Sequence, residues 1–207
     1  MKISDQLNLV SQLQDSNGRT AFIHVRPFPY EVVEENCVTL GNLFSQFFTL
    51  VGSVGAPRVA AMMLRKQLKA DRAAAGYDDG KPDLLDDIQR MATVVYAGEF
   101  GYAAVPLATA IAKGIITPEA YRDVEGEIVF FTVSSAIQRA DLIPGTVGRA
   151  LKMYSALLTS SSVSEYKNSL PPLKTEESLA EEETAIAVPE VRRAVAKSSS
   201  QESFIPS

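Results

Sequence analysis

The sequence predicts a mainly α fold: a compact, bundle-like helical body with a short β element near the N-terminus and a disordered C-terminal tail. Three observations predict it. Residues 30–51 carry Val33, Cys37, Leu40, Phe44, Phe47 and Val51 at spacings of four and three, which places them on one helical stripe. Later stretches repeat that period behind recognisable cap residues. Beyond residue 158 the composition turns to serine, and beyond 174 to acidic residues and serine again, so no further core is expected there.

Taken in order, Ser4 caps a first helix carrying Leu7, Val10 and Leu13, which Asp15-Ser-Asn-Gly18 ends in a turn. Residues 20–26 read as a strand, because Phe22, His24 and Arg26 alternate with Ala21, Ile23 and Val25. Pro27 and Pro29 stop the pairing, and the long helix follows until Gly52, Gly55 and Pro57 end it. A second helix over 58–75 has Val59, Met62, Met63 and Leu68 as its apolar residues, with Arg58, Arg65, Lys69 and Arg72 along one face. That face is either a solvated basic surface or a contact for an acidic partner segment.

Residues 76–82 read as a loop, and Asp83 caps a helix with the stripe Leu84, Ile88, Met91 and Val95. Residues 97–101 break the pattern before a short helix over 103–113. Thr117-Pro118 opens another helix, running to about residue 140, whose apolar stretch between Ile128 and Ile137 marks the centre of the core. A last helix over 148–158 carries Leu151, Tyr154 and Leu158. The expected organisation is a body over 1–158, a linker with apolar anchors over 159–173 that includes Tyr166 and Leu170, and a flexible acidic and serine-rich tail over 174–207. Phe204 and Ile205 stand near its end as a docking element.

With 207 residues the chain is long enough for a sizeable core, and its net charge of -5 argues against general affinity for nucleic acid or anionic membranes. The single Cys37 excludes an internal disulfide and suits a reducing compartment; the N-terminus has no apolar export signal. The uncharged run between Glu35 and Arg58 is long enough to span a bilayer, yet Asn42, Ser45, Gln46 and Thr49 fall opposite the phenylalanines, so a core helix is expected. Asp78, Asp79, Asp83, Asp86 and Asp87 lack the order of a calcium loop. His24 has no catalytic partner in sequence, Cys37 lies on the apolar stripe, and the glycines near Gly52 form no phosphate loop. No enzyme activity, cofactor or metal is expected.

The order of features resembles the tail assembly chaperones of long-tailed bacteriophages. A short strand follows a glycine turn in Asn17-Gly-Arg-Thr-Ala-Phe-Ile-His-Val-Arg-Pro, a helical body comes next, and a polar region begins at Thr159-Ser-Ser-Ser-Val-Ser-Glu-Tyr-Lys-Asn-Ser-Leu. The likeness is architectural, covers most of the chain and carries no catalytic or ligand residue. It implies a non-enzymatic assembly factor of the host cytoplasm that binds the tape measure protein and, as a second partner, the tail tube protein. Nucleic acid and membrane are not implied, and homo-oligomerisation is left open. Arg58, Arg65, Lys69, Arg72, Tyr166, Leu170, Phe204 and Ile205 are the residues expected to meet a partner. The competing expectation is a structural neck or tail protein retained in the virion.

Overall fold

Asp15 builds the first turn of the chain: its Oδ1 accepts from the backbone N–H groups of Asn17 and Arg19, both at 2.8 Å, and Gly18 takes a positive φ of 74°. The turn joins two antiparallel strands, β1 (Asn8–Gln14) and β2 (Thr20–Val25), in which Leu9 faces Val25 and Leu13 faces Ala21. The computed structural model describes residues 7–76 and 83–173, so Ser4 lies outside the described residues. Leu7, Val10 and Leu13 fit a helical stripe, but Leu9, Ser11 and Leu13 equally fit a strand, and a turn containing Asn-Gly selects the hairpin.

The expectation of a mainly α bundle is overturned. Three further strands, β3 (Ala92–Gly98), β4 (Gly101–Pro106) and β5 (Ala156–Thr159), complete a five-stranded antiparallel sheet in the order β4-β3-β2-β1-β5. The described residues are 57% helix and 19% strand, a mixed α/β fold. Val95 therefore sits in a strand and not on a helical stripe, because Thr93, Val94, Val95 and Tyr96 favour the pleated surface and Gly98 pairs with Gly101 around a two-residue loop. The helix expected over 103–113 begins only at Leu107, and the one expected over 148–158 ends at Lys152, with Ser155 at a positive φ of 61° leading into β5.

The helices are α1 (Tyr30–Glu35), α2 (Cys37–Gln46), α3 (Ala56–Ala75), α4 (Leu84–Met91), α5 (Leu107–Ala112), α6 (Pro118–Ile137), α7 (Ile143–Lys152) and α8 (Val163–Ser169). The long helix expected over 30–51 is broken at Asn36, whose backbone leaves the helical region, and finishes in a π-helical turn, Phe47–Val51, before Gly52. Its buried residues are Leu40, Leu43 and Phe47; Cys37 and Val51 are exposed. Asp83 closes a capping box with Asp86 at the start of α4, and Thr117 accepts from the Ala120 N–H to start α6.

Helix α6 is the centre of the core: Ile128, Val129, Phe130, Phe131 and Val133 are completely buried. Phe47 packs on Phe130 with ring centroids 5.7 Å apart. Glu127 on α6 meets β1 through a 2.6 Å hydrogen bond donated by Ser11 Oγ. On its other side α6 meets α3 so closely that a Cβ added at Gly126 would lie 2.0 Å from the Pro57 carbonyl oxygen. Helix α8 lies against β3 and β4, and Tyr166 meets Phe22 edge-on at 5.6 Å. The compact unit that holds these elements extends to Leu170.

Candidate functional site

Helix α3 buries Ala56, Ala60, Ala61 and Leu64 against the core, and small side chains there let it approach α6. The opposite face is set by the same period. Arg58, Met62, Arg65, Lys69 and Arg72 follow one another at intervals of four, three, four and three, so they share an arc of about 80° on the helix surface. All five are exposed, and Met62 is 60% exposed in the middle of the cations. The sequence pattern had singled out the four cations but counted Met62 with the apolar side.

Two of the cations are held by acids from other elements. Arg65 Nη2 donates to both carboxylate oxygens of Glu125 on α6, at 2.6 and 2.5 Å, and Glu125 itself is buried. Arg72 Nη2 donates to Asp83 Oδ2 at 2.9 Å, tying the end of α3 to the cap of α4. Between these two ion pairs runs a shallow groove lined by Arg65, Leu68, Lys69, Arg72, Asp83 and Leu85. Its apolar members, Leu68 and Leu85, come from α3 and α4 and are half-buried. The arrangement can hold carboxylates along its rim and a branched or aromatic side chain on its floor. Beneath Arg65 the Tyr121 hydroxyl is buried with no partner; burial and then the Glu125 charge push its pKa up.

The other expected partner residues are not gathered here. Tyr166 is half-buried under α8, between Phe22 and the ring of His24, and burial raises its phenol pKa. Leu170 caps the end of α8. Phe204 and Ile205 lie outside the described residues.

His24 is buried in the sheet, and Cys37 is exposed on a helix. His24 is 1% exposed, and its Nε2 lies 2.9 Å from the Ser161 carbonyl oxygen, which can only accept, so Nε2 carries the proton. Burial lowers its pKa, which keeps the ring neutral at pH 7. Cys37 is exposed at the start of α2, where the apolar stripe had been expected to cover it.

The chain matches no protein-family model, no characterised protein and no solved structure. Among the described residues no helix is long and apolar enough to cross a membrane.

Proposed function

We propose that the chain is a non-enzymatic tail assembly chaperone of a long-tailed bacteriophage, which binds the tape measure protein, and tail tube subunits as a second partner, during tail morphogenesis in the host cytoplasm. One observation carries the reading: α3 turns an unbroken exposed face of cations and Met62 outward while its other face is locked into the core. A rigid helix with both charge and apolar surface on show suits reversible capture of a partner that exposes apolar segments before assembly. The partner would be shielded while it waits and released when tube subunits cover it. The strand behind a glycine turn and the serine-rich region after Thr159 agree with the order of features in that family.

A structural neck or tail protein is the second reading, favoured by Phe100, which is fully exposed at the tip of the β3–β4 loop and would find cover in a finished particle. Quantitative mass spectrometry of purified particles separates the two. A chaperone leaves the particle with at most traces of this chain; a fixed stoichiometric amount would overturn the proposal and establish the structural role.

A further inference from the structure

We propose that the groove between α3 and α4 seats an acidic amphipathic helix of the partner, an inference that rests on the assembly-chaperone reading and specifies its docking chemistry. The charge on the rim selects the partner's sign. Arg65, Lys69 and Arg72 stand around the groove with Asp83 as the one acid among the described residues of its lining, and Arg58 extends the basic face beyond it. Carboxylates spaced one helical turn apart would meet these cations in turn.

The floor selects amphipathicity. Leu68 and Leu85 offer apolar surface between the cations, and Met62, 60% exposed, offers more along the same face of α3. Met adapts to the shape of whatever covers it, which suits a surface that must accept and release its occupant. The face from Arg58 to Arg72 is about 21 Å long at the rise of an α-helix, enough for roughly four turns of a partner helix laid alongside.

The groove is also preorganised. The Arg65 and Arg72 side chains remain 47% and 53% exposed although Glu125 and Asp83 already fix them. Among the described residues each guanidinium uses Nη2 for its internal acid, which leaves other N–H groups for an arriving carboxylate. The ordering cost of two long side chains is therefore met within the fold, before the partner arrives. A nucleic acid would find cations here too, but it has no use for the leucine floor.

The test is fluorescence anisotropy of the full chain with a labelled helical peptide of about 18 residues, leucines on one face and glutamates flanking them, against the same peptide with lysines for glutamates. The acidic peptide is expected to bind, to weaken as salt rises from about 50 to 500 mM, and to lose about tenfold or more in affinity with Lys69→Glu. Met62→Ser should weaken it at all salt concentrations. Both sites are exposed, so both variants are expected to melt like wild type. Equal binding of the lysine peptide, displacement by a single-stranded oligonucleotide, or no effect of either variant would overturn the groove assignment.

Retrieval from phage-infected cells separates this proposal from the reading beneath it. Tape measure protein retrieved by wild type but not by Lys69→Glu supports both. Equal retrieval by both forms keeps the chaperone reading and removes the groove. Retrieval by neither removes the chaperone reading, even where the peptide binds.

Discussion

Glu127 is 6% exposed on the sheet side of α6, with Ser11 Oγ as its hydrogen-bond donor. Burial pushes its pKa from 4.5 up to about 7, with the Ser11 hydrogen bond pulling the other way. A folded value above the unfolded one means that the folded state holds the proton more tightly. The stability this group contributes is therefore complete below about pH 4.5 and is lost as pH rises through about 7. Glu127→Gln keeps the shape of the protonated acid at every pH. It should flatten the fall in stability between about pH 5 and 8 and leave the variant on the order of 1–3 kcal/mol more stable than wild type at pH 8. Urea unfolding at both pH values checks this; an unchanged slope would show that Glu127 is not the group responsible.

At the scale of elements, the segment from α1 to the π-helical turn shows how a stripe can be right in period and wrong in membership. Phe47 is completely buried against Phe130, whereas Phe44 is half-buried and meets Phe48 at a tilt, with centroids 4.7 Å apart. Phe47→Ala should cost about 3–5 kcal/mol, in the range of large-to-small core changes, and Phe44→Ala clearly less. Chemical denaturation of the two variants decides it, and equal losses would restore the stripe as first drawn. Helices α4 and α6 were legible at their starts because Asp83 and Thr117-Pro118 satisfy or dispense with orphan amides, whereas Pro57, read as ending the preceding helix, lies in the first turn of α3. Strands β1, β3, β4 and β5 were not, since each is a short run that fits either period and gains its identity only from the strand beside it. Pro144 sits in the first turn of α7, where its missing amide costs no helical hydrogen bond. The cations of the candidate site were legible from spacing. Their anchoring was not, because Glu125 lies 60 residues from Arg65 and Asp83 lies 11 from Arg72.

For the whole molecule, α6 is the layer that joins the two sides. Glu125 reaches Arg65 on α3, Glu127 reaches Ser11 on β1, and two residues of helix separate them by about 200°. Gly126 between them lets α3 seat, so Gly126→Ala forces the Pro57 backbone away from a Cβ that would otherwise lie 2.0 Å from its carbonyl oxygen. Overpacking of this kind should cost about 1–3 kcal/mol and disturb the exposed face of α3 along with it. Thermal melting together with anisotropy of the acidic peptide reads both effects; a variant that melts and binds like wild type would mean that the crossing is looser than described.

The proposed function rests on the outward face of α3 as the surface that would hold another protein. The most direct measurement is a pull-down from phage-infected cells with the chain as bait, comparing wild type with the Arg58→Glu, Lys69→Glu double variant by quantitative mass spectrometry. Wild type should retrieve a long, helix-rich tape measure protein, and the variant should lose it. Neck or capsid proteins alone, or no viral protein at all, would contradict it.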